Sequence, residues 1–160
     1  MSIETIILLS TWVIATLLLL LFVPKDKIRK AIIIILFHQT MTWPIGIAVV
    51  ELNLIQYPVR LFEYAVKISF TFEYFIYPVI AVLFVLYYPR DRGRITNCLY
   101  YIAYSSTLTI IEIIFERYTL LIKYVHWHWY WTWSSIIITL FITRKFYLWF
   151  HQIPKPKENE

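Results

Sequence analysis

Five apolar segments separated by short charged loops constrain the fold of this chain more than any other feature. A helix needs about 20 residues, at about 1.5 Å each, to cross the hydrocarbon layer of a bilayer. Of the 160 residues, 60% are hydrophobic and only 16% are charged, which excludes an ordinary soluble domain and a disordered chain. The sequence therefore predicts an all-α transmembrane helical bundle with five spans, placed at about 3–23, 31–52, 72–88, 95–115 and 128–143.

The distribution of basic residues predicts the orientation of these spans. Eleven of the fifteen Lys and Arg residues lie in 25–30, in 90–94 and in the part of the chain from Arg144 onward. The five-span arrangement places all three stretches on one side of the membrane. Because Lys and Arg are enriched in cytoplasmic loops, that side is predicted to be the inside, with the amino terminus outside and the carboxyl terminus inside. A four-span arrangement would put basic stretches on opposite faces and is disfavoured.

The segment between the second and third spans is too polar to cross a bilayer. Arg60, Glu63 and Lys67 recur in it at helical spacing, with apolar residues between them. This pattern predicts an interfacial amphipathic helix at about 58–70 on the outer face of the membrane.

The net charge of +5 does not indicate nucleic-acid binding, since the basic residues lie in short loops between spans rather than in a basic domain. The predicted partners are the lipid bilayer and other membrane proteins or further copies of the chain. We expect 1–152 to form a single transmembrane domain and 153–160 to form a mobile cytoplasmic tail. Cys98 is the only cysteine, so the chain cannot form an internal disulfide.

Two polar stripes are predicted to face each other inside the bundle. Polar residues recur every three or four positions along the fourth and fifth spans, and therefore share one face of each helix. Interhelical hydrogen bonding, worth about 0.6 kcal/mol per contact, is the favoured role for the Ser and Thr residues. The stripes consist of Asn97, Tyr101, Ser105, Thr109, Glu112 and Glu116 in the fourth span, and of His128, Thr132, Ser135, Thr139 and Thr143 in the fifth.

A cluster of charged and titratable residues is predicted near the outer membrane face. A carboxylate in hydrocarbon is costly unless it is paired, protonated or hydrated. If arginines neutralise the glutamates, the cluster is a structural ion-pair network; if they do not, it is a proton or cation site. The candidate residues are Glu51, Glu73, Glu112, Glu116, His126, His128, Arg60 and Arg117.

A proton relay through the bundle would also need polar groups on the inner side. Only His38 and Gln39 offer them at depth, and a single buried His is more often a packing residue. Pro44 and Gly46, later in the same span, predict a kink or a local opening of the helix.

The sequence gives little support to metal binding or to known catalytic motifs. Glu112 and Glu116 with an imidazole could supply three ligands, but no HExxH motif or cysteine pair accompanies them. P-loop, GxGxxG and GxSxG motifs are also absent from the sequence. No metal, cofactor or catalytic residue is therefore predicted.

Aromatic and charged residues form distinctive strings at 42–51, 57–60, 69–78, 116–118 and 126–133. These strings resemble an uncharacterised family of small polytopic membrane proteins from endospore-forming Gram-positive bacteria. The resemblance covers nearly the whole chain, and it implies a bacterial cytoplasmic membrane protein without assigning an activity or a site residue.

Three hypotheses about function follow from the sequence. The favoured one is a non-enzymatic envelope component, such as a sensor, an accessory subunit or a structural partner. The alternative is a small proton- or cation-coupled transporter that uses the outer polar cluster. A membrane-embedded metalloenzyme is the third.

Overall fold

The chain is mostly helical, with five helices and one pair of very short strands in the residues that the structure describes. The structure is a computed structural model that describes residues 2–152, so the predicted tail at 153–160 lies outside the described residues. The elements are α1 (Ile3–Phe22), α2 (Ile28–Glu51), β1 (Ile55–Gln56), a π-helix (Phe70–Ile76) that continues into α3 (Tyr77–Leu86), α4 (Gly93–Tyr118), β2 (Lys123–Tyr124) and α5 (Trp129–Phe150).

Three of the helical segments are long and apolar enough to cross a membrane: α1, Lys25–Glu51 and α4. The π-helix and α3 together form an apolar helix, Phe70–Leu86, that is shorter than these. The prediction of a mostly helical chain with helices of spanning length is confirmed in this form. The count of five spans and their orientation stay predictions.

Local chemistry explains where the first helices begin and end. The Ser2 hydroxyl caps α1 by accepting a hydrogen bond from the Thr5 amide, at 3.3 Å. Val23 caps the end of α1, and Pro24 after it has no N–H to continue the hydrogen bonding. A single 3₁₀ turn, Lys25–Lys27, then leads into α2. The basic loop predicted after the first span is thus a tight turn.

The predicted interfacial helix at 58–70 is wrong. Residues 58–69 form turns and bends, and helical structure begins only at Phe70. The Arg60 guanidinium donates hydrogen bonds to the carbonyl oxygens of Tyr57 (2.8 Å), Glu63 (2.9 Å) and Val66 (2.7 Å). Because one side chain binds three backbone carbonyls of its own segment, the backbone is satisfied without a helix.

The fifth helix is longer than predicted and continues past the basic pair at its expected end. α5 runs to Phe150, although the fifth span was predicted to end at residue 143. The Arg144 guanidinium lies 3.5 Å from the centre of the Tyr88 ring, and the Lys145 ammonium lies 5.3 Å from the centre of the Phe141 ring. These cation–π contacts allow the helix to continue.

The hydrophobic core forms around α3, whose side chains are the most completely buried. Phe84 is fully buried, and it belongs to one cluster with Ile34 of α2 and Leu140 of α5. In contrast, most apolar side chains of α1 are exposed. The side of α1 that faces the bundle carries the buried Leu8 and Ala15, and also Trp12, which stacks on Phe75 at 4.2 Å between ring centres. An exposed apolar helix surface of this kind suits contact with lipid.

The connections between helices gather at two opposite ends of the bundle. At one end the Tyr87 hydroxyl donates to the carbonyl oxygen of Phe22, at 2.7 Å, and Tyr88 holds Arg144. At the other end β1 and β2 pair antiparallel, with Ile55 opposite Tyr124. The first end therefore brings together the segments next to the three basic stretches.

Candidate functional site

A cavity of about 80 Å³ lies between α2, α3, α4 and α5, next to the pair of strands. Because about 10–15 Å³ of such volume holds one water molecule, the cavity has room for several. Every neighbouring element contributes polar side chains to its lining, namely His38 and Thr42 of α2, Glu73 of the π-helix, Tyr77 of α3, Glu112 of α4, Thr132, Ser135 and Thr139 of α5, and Tyr57 after β1.

Glu112 is held in the cavity wall by three hydroxyl groups from three different elements. The Glu112 residue is only 8% exposed. Its Oε2 accepts a hydrogen bond from the Tyr77 hydroxyl at 2.9 Å, and its Oε1 accepts from Tyr124 at 2.6 Å and from Thr132 at 2.7 Å. The Trp127 indole N–H donates to the Thr132 hydroxyl oxygen at 2.8 Å and so orients that hydroxyl toward Glu112. Glu112 is therefore fixed in position by neutral donors.

Glu73 has much weaker support. The Tyr57 hydroxyl donates to its Oε1 over a long distance of 3.4 Å. The side chain lies against Gly46 of α2, where an added Cβ would come within 3.1 Å of the Glu73 Cδ. The Thr42 hydroxyl donates to the Glu73 backbone carbonyl at 2.8 Å, which fixes the main chain but leaves the carboxylate free to reorient. Gly46 thus makes room for the Glu73 carboxylate beside the cavity.

The tyrosine hydroxyls from the connecting segments remain protonated donors. Burial raises the pKa of the Tyr57 hydroxyl well above its ordinary range, and negative charge on Glu73 and on Glu112 raises it further. Burial also raises the pKa of Tyr124, and the Glu112 carboxylate adds to that increase. Both carboxylates therefore lie close enough to Tyr57 to affect its titration.

Neither predicted arginine neutralises the glutamates in the cavity. Arg60 binds backbone carbonyls of its own loop, and Arg117 is exposed at the end of α4. Among residues 2–152, no Lys or Arg forms an ion pair with Glu73 or Glu112. The predicted ion-pair network is thus not formed at these two carboxylates.

The other predicted members of the cluster lie outside the cavity. Glu51 pairs with Lys67 at 3.1 Å, with both side chains largely exposed. Glu116 is half-buried, and both histidines are exposed: His126 lies 3.3 Å from the Asn53 carbonyl oxygen, and His128 stacks on Tyr130. The structure therefore brings two of the eight predicted residues together in one site.

The cavity also reaches His38, which was not included in the predicted cluster. His38 is 2% exposed, and its Nδ1 lies 2.8 Å from the Thr143 hydroxyl oxygen. The Thr143 hydroxyl donates its hydrogen to the Thr139 carbonyl oxygen, at 2.8 Å, and so accepts from Nδ1. In the neutral ring this leaves Nε2 without a hydrogen, available to accept one.

Sequence reasoning also missed the hydroxyl donors Tyr57, Tyr77 and Tyr124. With 13 tyrosines in the chain, a tyrosine gives no signal of its own. For His38 the available signal was its position two turns before Gly46, the residue that contacts Glu73.

The predicted pairing of the two polar stripes is formed at one point, Glu112 with Thr132. Thr139 and Thr143 donate back to carbonyls of their own helix, at 2.9 and 2.8 Å. The buried hydroxyls of Ser105 and Thr109 have no hydrogen-bond partner among the described residues. The stripes therefore face inward as predicted. The predicted interhelical hydrogen bonds are formed by Thr132 and by Thr143, which accepts from His38. Among the described residues Ser105, Thr109 and Thr139 form none, so the prediction is wrong for these three.

The described part of the chain contains no group of three or more His, Cys, Asp and Glu side chains arranged to hold a metal ion. Glu112 points into the cavity, and both of its oxygens already accept hydroxyl hydrogen bonds.

No protein-family model matches this chain, and neither a curated protein nor a solved structure matches it. The resemblance to a family of small polytopic membrane proteins therefore stays a prediction.

Proposed function

We propose that this chain is a five-span protein of the bacterial cytoplasmic membrane, with the amino terminus outside and the carboxyl terminus inside. In this arrangement the π-helix with α3 forms the third span and α5 forms the fifth. The contacts of Tyr87 with Phe22 and of Tyr88 with Arg144 support it, since they gather the segments next to all three basic stretches at one end of the bundle. That end is then the cytoplasmic end.

We propose further that Glu73 and Glu112 bind and release a proton or a cation, and that the chain works as a small coupled transporter. The observation that carries this proposal is that two carboxylates line one interhelical cavity with no Lys or Arg of the described chain paired to either. In a low-dielectric environment such carboxylates require a proton, a cation or water. A purely structural role for the cluster would require Arg60 or Arg117 to neutralise the cavity glutamates. Because neither does, this role is less favoured.

His38 supports a route through the bundle. A relay needs acceptors in both halves of the membrane, and His38 lies near the middle of α2 at the other side of the same cavity. Its unprotonated Nε2 is a suitable second acceptor for a proton that enters at Glu73 or Glu112.

Proton flux into reconstituted vesicles tests this proposal. Vesicles that contain the purified chain and a pH-sensitive dye are given a membrane potential, and the rate of internal pH change is compared with that of empty vesicles. We expect flux from the wild type, and loss of most of it in Glu73→Gln and in Glu112→Gln. Glu116→Gln is the matched control, because it removes a carboxylate one turn further along α4 and should leave the flux intact.

Thermal unfolding of each variant in detergent shows whether it is folded. Wild-type flux no greater than that of empty vesicles, in the presence of sodium or potassium gradients as well as proton gradients, would overturn the transporter proposal. Full flux in both folded glutamine variants would remove these carboxylates from the route.

A further inference from the structure

The chemical composition of the cavity lining indicates which kind of cation fits the site. Besides its polar side chains, the cavity has seven aliphatic lining residues, and three aromatic side chains hydrogen-bond to the carboxylates or to the hydroxyl that holds Glu112. The aromatic residues are Tyr57, Tyr77 and Trp127, and the aliphatic residues include Val49, Ile80 and Ile136. A site built for a bare ion would instead be expected to present mainly oxygen atoms.

This lining offers fewer free oxygen ligands than Ca²⁺ or Mg²⁺ prefers. Ca²⁺ takes about six to eight oxygen ligands and Mg²⁺ about six, and both prefer several carboxylates, carbonyls or waters. Here both Glu112 oxygens already accept hydrogen bonds, and the tyrosine hydroxyls direct their hydrogens toward the carboxylates. Glu73 is the one carboxylate with most of its acceptor capacity unused.

We propose that the cavity binds a compact organic monocation, an ammonium group on an apolar body, and that this cation competes with protons for the Glu73 and Glu112 pair. The inference rests on the proposed function, since it names the substrate class of the same site. The ammonium group donates hydrogen bonds to the Glu73 carboxylate, which lacks strong partners. The charge of Glu112, held in place by its three hydroxyl donors, lies close by and adds to the attraction.

The aromatic and aliphatic walls then receive the body of the ligand. A cation over the face of a Tyr or Trp ring is attracted by the negative face of the ring, and methylene or aryl groups gain by leaving water. A volume of about 80 Å³ limits the ligand to a compact one. Charge, aromatic contact and size thus all point to the same chemical class.

Competition with protons makes binding depend on pH. The titratable groups around Glu73 are Glu112 from α4, Tyr77 from α3, Tyr57 after β1, Tyr124 from β2 and, at the far side of the cavity, His38 from α2. The tyrosines stay neutral, so protonation of the glutamates weakens cation binding as pH falls. Protonation of His38 would add a positive charge and act in the same direction.

Calorimetric titration of the purified full chain in detergent, with empty micelles as the blank, tests this inference. The probe is benzylammonium, and its comparators are benzyl alcohol, which has nearly the same shape without the charge, and sodium and potassium ions. We expect saturable binding of benzylammonium, weaker binding at lower pH, and no saturable binding of the comparators. Glu73→Gln should weaken benzylammonium binding by about tenfold or more, as expected for the loss of a charge-assisted contact. Glu51→Gln, which removes an exposed carboxylate, should change it by less than about twofold.

If Glu73→Gln does not fold, the pH dependence of benzylammonium binding to the wild type takes its place. Equal binding of benzyl alcohol, an unchanged affinity in folded Glu73→Gln, or binding that does not weaken at lower pH would each overturn the inference. Proton flux without benzylammonium binding would exclude an organic cation as the substrate class, and the proposal of a proton transporter would remain. Benzylammonium binding that depends on the glutamates, without flux, would support the binding site and contradict the proposal that the chain is a transporter.

Discussion

Glu73 and Glu112 lie in one cavity, yet their surroundings give them different roles. Three hydroxyl donors hold Glu112, whereas Glu73 accepts one long hydrogen bond from Tyr57 and lies against the open side of Gly46. A fixed carboxylate contributes charge at a defined place, and a loosely held one can exchange partners. We therefore assign the exchange of protons or cations to Glu73, with Glu112 as the fixed charge beside it.

The close approach of Glu73 to Gly46 makes Gly46→Ala a sharp test of this assignment. Ala is favoured over Gly inside a helix by about 0.5–1 kcal/mol, so the variant should fold at least as well as the wild type. Its Cβ would lie 3.1 Å from the Glu73 Cδ, so the carboxylate has to move by a few tenths of an ångström. We expect flux in reconstituted vesicles to fall by about three- to tenfold, as misplacement of a reacting group does.

Ala48→Gly is the matched control for that variant, since Ala48 is exposed on the same helix. It should lower the unfolding temperature and leave the flux unchanged. A Gly46→Ala protein with wild-type flux would show that Glu73 needs no space at this position.

At the scale of elements, hydrophobic runs predicted the helices better than charge spacing did. α1, α2 and α4 follow apolar segments bounded by Pro or by charged residues, and they were predicted to within a few positions. The segment at 58–70 failed because Arg60, Glu63 and Lys67 recur at helical spacing without forming a helix. Periodicity reports which side chains would share a face, but it does not reveal that one guanidinium will bind the backbone of its own loop.

Arg60→Lys tests the role of the guanidinium in this loop. Lys has the same charge but cannot donate a fork of hydrogen bonds to three carbonyl oxygens. We expect the loop to lose about 3 kcal/mol of local stability, on the scale of a few hydrogen bonds from a charged donor. Limited proteolysis with trypsin should then cleave at Lys67 much faster than in the wild type.

Arg117→Lys is the control for that experiment, since the exposed Arg117 holds no loop of this kind. Equal cleavage rates in Arg60→Lys and in the wild type would contradict the assignment of loop stability to Arg60.

At the scale of the whole molecule, the sequence predicted the inward-facing stripes but not the cavity between them. Glu112 and Thr132 were each placed on such a stripe, and they do meet. The contacts of Glu73 with Gly46 and of His38 with Thr143 could not be predicted, because they depend on how α2 packs against the π-helix and α5. Exposed residues such as His126 and Glu51 were grouped with Glu73 and Glu112 because they lie at similar depth along the helices. Similar depth does not place side chains in one interior.

Thiol labelling tests the proposed orientation of the bundle. In a Cys98→Ser background, a cysteine at exposed Asp91 and another at exposed Gln56 are treated in intact cells with a membrane-impermeant maleimide. We expect labelling at Gln56→Cys, and labelling at Asp91→Cys only after the cells are opened. The opposite pattern would invert the orientation, and labelling of both in intact cells would exclude the five-span arrangement.

Infrared difference spectroscopy reports whether the buried carboxyl groups themselves exchange protons, independently of transport. Spectra of the protein in lipid vesicles are compared between acidic and alkaline buffer. We expect a carbonyl band of protonated carboxylic acid that disappears in alkaline buffer, is reduced in Glu73→Gln, and is unchanged in Glu51→Gln. If the band is absent in the wild type, or is as strong in Glu73→Gln as in the wild type, the carboxyl group of Glu73 does not exchange protons and the proposed proton site is wrong.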